Sequence, residues 1–153
     1  MTASALFHHP AAVDLKLVVA EPIDVCGLLQ RAHHPKAGGI VLFSGEVRNH
    51  HEQKKVTHLE YEAFVPMAEK IIQEIIQTAI EKWNLHNAIC VHRIGKLEIC
   101  ESAVVVITAH SHRKESYEAN RYIIDRVKHE APIWKKEFYE DGTSSWGGDC
   151  HCG

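Results

Sequence analysis

The sequence predicts an α+β fold, in which a mixed or antiparallel sheet packs against two main helices. Short apolar runs typical of strands outnumber the helical segments and do not alternate strictly with them, and two longer segments carry amphipathic periodicity. With 153 residues, 45% of them hydrophobic, the chain has the size of one domain that closes its own core. We therefore expect a single domain over residues 1–142, beginning with a loose arm at 1–13, and a Gly/Cys-rich tail at 143–153.

In the first half of the chain, one segment stands out as a central strand. Residues 39–47, GIVLFSGEV, are almost all apolar, and the run is too short for a buried helix. The polar stretch that follows, RNHHEQKK, predicts a loop and places Arg48 at the carboxyl end of the strand. The other elements predicted here are a strand at 15–20, a short helix at 22–33 and a half-exposed strand at 56–64.

Two long helices dominate the second half. The segment 66–83 opens on Pro66 and places its apolar residues on one broad stripe, and the segment 111–131 ends before Pro132. After the second helix, Pro132 and Trp134 predict a rigid turn with a buried tryptophan, which would direct the following lysines back towards the helix. The strands predicted between the two helices are 88–95, 96–99 and 102–110.

Composition restricts the classes of function. The formal net charge of −3 argues against nucleic-acid binding, which needs a basic face, and no apolar run reaches the ~18 residues of a membrane span. The amino terminus lacks the pattern of an export signal, and Cys26, Cys90 and Cys100 lie beside aliphatic residues, which predicts buried thiols in a reducing compartment. We therefore expect a cytoplasmic protein that binds neither nucleic acid nor a membrane.

Positive charge is concentrated at the ends of the predicted elements. Arg48 follows a strand, whereas His112 and Arg113 begin the second long helix. Lys128 lies near the end of that helix, in the stretch KHEAPIWKKE, which contains three lysines including Lys135. A helix N-terminus and an arginine fork suit a phosphate, and a lysine crowded by other cations can serve as an acid, a base or a nucleophile. Taken singly, each of these residues is more often a solvated helix end or an ion-pair partner.

The order of several motifs gives the sequence a family resemblance. FSGEVRNHH, LEYEAFVPMAEK, VHRIGKLEICESAVVV and AHSHRKESYEANRYIIDRVKHEAPIWKKE together resemble the large, catalytic subunit of molybdopterin synthase over residues 38–142. The resemblance implies a fold like the α/β hammerhead and a sulfurtransferase of molybdenum cofactor biosynthesis that needs no cofactor. Sulfur would pass from the C-terminal thiocarboxylate of a small ubiquitin-like carrier, which ends in Gly-Gly, to cyclic pyranopterin monophosphate. The implied assembly is a homodimer of this chain within a heterotetramer.

The same resemblance assigns site residues one by one. They come from the family's G-x-V-R loop, its His-Arg pair, the essential lysine of its long helix and its P-x-W-K segment. Glu46 departs from the basic or neutral residue that many members carry there, so no role is expected for it. The residues assigned in this way are Arg48, His112, Arg113, Lys128, Lys135 and Glu137.

The implied chemistry gives these residues different roles. The reaction moves protons and builds negative charge, so clustered cations lower its barrier. Lys128 is expected to be the principal acid or base beside the carrier terminus, and Lys135 to steady the thiocarboxylate or a developing oxyanion. Arg48, His112 and Arg113 are expected to hold the phosphate.

Helix length restricts how these residues can meet. Arg113 and Lys128 lie fifteen positions apart on one predicted helix, which separates them by roughly 22 Å at about 1.5 Å per residue. One small substrate does not span that distance. We therefore predict a site shared between two protomers. One chain supplies Arg48, Lys128 and Lys135, and the other supplies His112 and Arg113.

Two other classes of function compete with the enzyme. A metal-binding protein could use Cys150, His151 and Cys152 together with His110 and His112, although three consecutive residues rarely form a closed tetrahedral site. A non-catalytic scaffold could bind a ubiquitin-like partner in the same groove. The basic cluster argues against the scaffold, because a groove for a peptide tail does not need so many cations.

Overall fold

The structure, a computed structural model, describes residues 15–147. It confirms the predicted α+β class, with three helices and nine strands in this range. The predicted arm at 1–13 lies outside the described residues, as do Cys150 and Cys152, and the division into a domain and a tail stays a prediction. The helices are α1 (Val25–Ala32), α2 (Val65–Trp83) and α3 (Arg113–Glu130), and the strands are β1 (Val18–Val19), β2 (Gly39–Glu46), β3 (His50–His51), β4 (Lys54–Ala63), β5 (Asn87–Arg93), β6 (Gly95–Glu98), β7 (Ser102–His110), β8 (Ile133–Tyr139) and β9 (Ser144–Trp146).

The first sheet has the strand order β1-β5-β7-β2 and is mixed, because β1 runs parallel to β5 while the other pairs are antiparallel. Alternate residues of β5 and β7 point to opposite faces, and both faces are covered. One face packs Cys90 and Val106 against α2 and α3, and the other packs Ile89 and Ile107 against α1. This double burial explains why the central strands are continuous apolar runs.

The second sheet has the order β3-β4-β8-β9, with β6 also paired to β4. Its strand β8 was not predicted, and the turn expected after α3 is wrong. Pro132 directly precedes β8. A proline is tolerated at this position, because its missing N–H is not needed for a hydrogen bond between strands. Trp134 is 53% exposed rather than buried, because it stands on the face of β8 away from the core. The predicted loop after β2 is also wrong in part, since β3 and β4 form a tight hairpin there with Glu52 at φ 55°.

Helix α3 is fixed to the first sheet by buried polar contacts. The Ser116 hydroxyl lies 2.9 Å from the Thr108 carbonyl oxygen and donates to it, and Asn120 Nδ2 donates to the carbonyl oxygens of Val41 and Val106, at 3.0 Å each. Hydrogen bonds of this kind, buried and fully paired, fix the helix in one register. The end of α3 that carries Lys128 is therefore held in one place relative to β7.

The expectation of buried thiols is confirmed for one cysteine and wrong for two. Cys90 is buried as expected, but Cys26 and Cys100 are exposed, because an aliphatic neighbour in the sequence does not place a side chain in the core. Among residues 15–147, no helix has both the length and the apolar character needed to cross a membrane.

Candidate active site

Two adjoining cavities bring together most of the residues assigned from the sequence. They share Tyr61, Lys128 and Lys135. The first, the Trp134 cavity, is further lined by His92, Trp134 and Gly147. The second, the Arg48 cavity, has a volume of about 180 Å³ and is further lined by Glu46, Arg48 and Glu137. Four assigned residues, Arg48, Lys128, Lys135 and Glu137, therefore converge on one place.

The pairing of β4 with β8 positions Lys135 and Glu137. Tyr61 lies opposite Lys135 and Leu59 lies opposite Glu137, so all four side chains share one face of the sheet. The next strand closes over them: the Gly147 amide donates to the Lys135 carbonyl oxygen, and a Cβ atom added at Gly147 would lie 2.8 Å from Lys135 Cε. A side chain at position 147 would therefore displace the lysine.

Glu137 provides negative charge beneath the cations. It is only 4% exposed, and its Oε1 lies 3.8 Å from His51 Nδ1. The same imidazole nitrogen lies 3.4 Å from Arg48 Nη2. A guanidinium only donates hydrogen bonds, so His51 Nδ1 accepts from Arg48 and has no proton for Glu137. His51 therefore holds the guanidinium at the rim of the Arg48 cavity, and the Glu137 carboxylate lies beyond hydrogen-bond distance of the imidazole.

Lys128 lies above an aromatic floor. It follows the buried Val127 in the last turn of α3, and its Nζ lies 5.3 Å from the centroid of the Tyr61 ring. The Tyr61 ring meets the His92 ring edge to face, with the centroids 4.9 Å apart. An ammonium over an aromatic face is attracted by the ring quadrupole, so Tyr61 contributes to holding the lysine.

Two buried side chains of β5 stay uncharged beside Lys128. Burial, with a contribution from the Lys128 charge, lowers the pKa of His92 to about 3. Burial raises the pKa of the Cys90 thiol to about 12, against a smaller opposite effect of Lys128. On the β5 side, Cys90 and His92 therefore present uncharged side chains to the cations at physiological pH.

The buried His92 predicts a loss of stability in mild acid. The unfolded histidine has a pKa near 6.5, so between about pH 6.5 and pH 3 the unfolded chain binds a proton here that the folded chain does not. The free energy of unfolding should then fall with decreasing pH, by up to ~1.4 kcal/mol per pH unit from this residue. We expect urea unfolding between pH 4 and pH 7 to show a shallower pH dependence for His92→Gln than for the unmodified chain. Equal slopes for the two proteins would contradict this assignment.

His112 and Arg113 lie at the opposite end of α3. His112 is the N-cap residue and Arg113 begins the helix, which runs without a break to Glu130. Neither residue lines the two cavities at Lys128. Within one chain, the structure thus separates the assigned His-Arg pair from the assigned lysines by the roughly 22 Å of an unbroken helix.

The His112 end of α3 carries a row of imidazoles. His110 lies 6.0 Å from His112 and 5.7 Å from His86, and His86 stacks on His34 at 4.9 Å, measured between ring centroids. The His112 amide donates to His110 Nδ1 at 3.0 Å. Burial, followed by the charges of His34, His110 and Lys36, lowers the pKa of His86. His86 is therefore mainly neutral at pH 7, and Arg113 is a permanent cation at the end of the row.

Sequence reasoning assigned no role to several residues of the site, among them His51 beside Arg48. Tyr61 was assigned only to the inward face of a strand, His92 to an apolar strand and Gly147 to the tail. A signal existed for His92, since a histidine inside the run AICVHR is a polar residue at a buried position. No local signal marks Gly147, because its role arises from the pairing of β8 with β9.

The metal hypothesis finds no support in the part of the chain that the structure describes. Between residues 15 and 147, no three side chains of His, Cys, Asp or Glu are arranged to hold a metal ion. In the imidazole row, His86 stacks on His34 and on His110, whereas the rings of His110 and His112 are tilted by 47° with their centroids 6.0 Å apart. The proposed ligands Cys150, His151 and Cys152 lie outside the described residues.

Comparison with known proteins identifies relatives of this chain. A family model described as MoaE protein matches residues 18–130. The molybdopterin synthase catalytic subunit of Halalkalibacterium halodurans is 43% identical over 132 residues, which cover 86% of this chain and 84% of that protein. The crystal structure of molybdopterin synthase from Staphylococcus aureus superposes with a TM-score of 0.81 at 42% identity, covering 86% of this chain and 95% of that one.

A more distant structure shares the fold alone. It is the Helicobacter pylori complex of subunits 1 and 2 of molybdopterin-converting factor, with a TM-score of 0.70 at 20% identity, covering 86% of this chain and 88% of that one. The family model spans more than half of the chain, and the first relative exceeds 40% identity over most of both proteins. The chain therefore belongs to the MoaE protein family.

Proposed function

We propose that this chain is the catalytic subunit of a molybdopterin synthase. It transfers sulfur from the thiocarboxylated C-terminus of a small ubiquitin-like carrier to cyclic pyranopterin monophosphate and so forms the dithiolene of molybdopterin. The observation that carries the proposal is the convergence of Arg48, Lys128 and Lys135 on adjoining cavities. Family membership and the names of the relatives support the same reaction.

The chemistry needs what these cations provide. In each of two transfers, the thiocarboxylate sulfur attacks a carbon of the pyranopterin side chain and a carbon–oxygen bond at that carbon breaks, so that the oxygen leaves on the opened cyclic phosphate or as water. Water then cleaves the acyl–sulfur bond, which leaves sulfur on the pterin and a carboxylate on the carrier. Both steps build negative charge on oxygen and move protons, so fixed cations in a partly enclosed site stabilise them. Lys128 is the acid or base, Lys135 stabilises the oxyanion, and Arg48 binds the phosphate with Glu137 fixing its surroundings.

The complete site requires two copies of this chain. Helix α3 is continuous, so its two ends do not reach one small substrate within a single protomer. A homodimer in which the His112 and Arg113 end of one protomer faces the Lys128 end of the other places all assigned cations around one substrate. With a carrier bound at each site, the assembly is a heterotetramer.

Exposed apolar side chains next to the lysines suit a protein partner. Trp134 is 53% exposed at the mouth of its cavity, and Phe64, 60% exposed, follows β4 with its amide bonded to the Pro132 carbonyl oxygen. Apolar surface of this kind marks contact sites on proteins. We place the docking site of the carrier tail here, and we place the reaction in the cytoplasm, which the unpaired thiols among the described residues support.

A reconstituted assay tests the function. The chain is mixed with a thiocarboxylated carrier and cyclic pyranopterin monophosphate, and the product is followed as its oxidised fluorescent derivative. We expect product to form only when all three components are present. No product, with carrier binding intact, would favour the scaffold, and activity that depends on a metal found in the untagged protein would favour the metal-binding alternative.

A further inference from the structure

One fully buried histidine beneath the site has a defined tautomer. His92 is 1% exposed, and its Nδ1 lies 2.8 Å from the Arg93 carbonyl oxygen. A carbonyl oxygen only accepts hydrogen bonds, so Nδ1 carries the proton of the neutral ring and Nε2 is an acceptor with a free lone pair. The Arg93 carbonyl is itself held in place, because the amides of the residues before and after it donate to the segment around β1, His92 N to Leu17 O and Ile94 N to Val19 O.

The same ring lines the Trp134 cavity together with Lys128. The groups that face the lysine come from several elements: Tyr61 from β4, Cys90 and His92 from β5, and Lys135 and Glu137 from β8. Glu46 and Arg48 face it from the end of β2. Of the groups on β5, only the imidazole combines a fixed position with a strong acceptor atom, since the Cys90 thiol is a weak acceptor.

We propose that His92 is a positioning residue for Lys128, whose ammonium donates a hydrogen bond to His92 Nε2, directly or through one water molecule. The Tyr61 ring contacts both side chains and so keeps the ammonium and the imidazole next to each other. An acceptor fixed in the protein favours the charged form of a lysine, so His92 keeps Lys128 protonated and aimed into the site. The catalytic consequence rests on the proposed function, whereas the contact itself does not.

The contact is tested by titrating Lys128 directly. The protein is labelled with ¹³C at lysine Cε, and the Lys128 signal is assigned by its absence in Lys128→Arg. We expect the midpoint of its titration to fall by about one pH unit in His92→Leu, which lacks the acceptor, and to return in His92→Gln, whose amide oxygen replaces Nε2. The signal of the exposed Lys70 on α2 serves as the internal control and should not move. An unchanged midpoint in His92→Leu, or an equal fall in His92→Gln, would overturn the proposal.

A measurement on the unmodified protein covers the case in which a buried substitution prevents folding. The ¹⁵N spectrum of His92 should show a proton on Nδ1 and none on Nε2 from pH 7 down to about pH 4. A proton on Nε2 would exclude acceptance from Lys128 and would overturn the proposal without any variant.

The assay then links the contact to turnover. If Lys128 acts in its ammonium form, the basic limb of the pH profile of kcat should shift to lower pH in His92→Leu and return in His92→Gln, with KM unchanged. A lower rate at every pH, with no shift of the limb, would indicate a structural role and would contradict the proposal. If the chain forms no product at all, the two spectroscopic measurements still decide whether the contact exists, so the two proposals fail separately.

Discussion

Replacing Lys128 by alanine should reduce product formation by about a thousandfold, because a positioned acid or base and a fixed cation are lost together. Lys128→Arg should also be strongly impaired, since a guanidinium keeps its proton and does not act as an acid or a base at neutral pH. The measurement is single-turnover formation of the dithiolene product with saturating carrier.

Controls separate this effect from unfolding and from loss of charge. Lys70→Ala removes an exposed lysine of α2 and should leave the rate unchanged. Carrier binding and the thermal midpoint should be close to normal in Lys128→Ala, because the side chain is half-buried at a helix end rather than part of the core. Near-normal rates for both Lys128→Ala and Lys128→Arg would remove this residue from the mechanism.

Mixing two inactive variants should restore activity if the site is shared between protomers. Lys128→Ala and Arg113→Ala are each expected to be inactive as homodimers. A mixed dimer holds one site that carries both changes and one site that carries neither. With random exchange, half of the dimers are mixed and half of their sites are intact, so about one quarter of the full activity should return.

A second mixture provides the matched control. Lys128 and Lys135 belong to the same side of the proposed site, so a mixture of Lys128→Ala with Lys135→Ala leaves every site defective and should stay inactive. If the mixture with Arg113→Ala also stays inactive, although exchange of subunits is shown by mass spectrometry, then His112 and Arg113 do not complete the partner's site. Recovery in both mixtures would likewise exclude the shared arrangement.

Local patterns were sufficient to predict the elements whose apolar residues follow the surfaces that they bury. The apolar run at 39–47 became β2, the stripe of 66–83 became α2, and the segment 102–110 became β7, because in each case the periodicity of the chain matches the surface that it covers. The strand β8 was missed for the opposite reason. Its sequence, IWKKEFY, mixes aromatic and charged residues, and its extended form depends on pairing with β4, at least seventy positions away.

In the site, too, some features follow from the sequence alone and others from the tertiary structure. The amino-acid sequence by itself determined which residues carry charge, the order of the motifs that defines the family, and the length of the helix between Arg113 and Lys128. Only the tertiary structure decided that Lys135 and Glu137 lie on one face of a strand beside Tyr61, and that His92 forms the floor beneath Lys128. The physical reason is that residue type and helical rise are local properties, whereas the burial of His92 and the register of β8 arise from contacts between segments far apart in the chain.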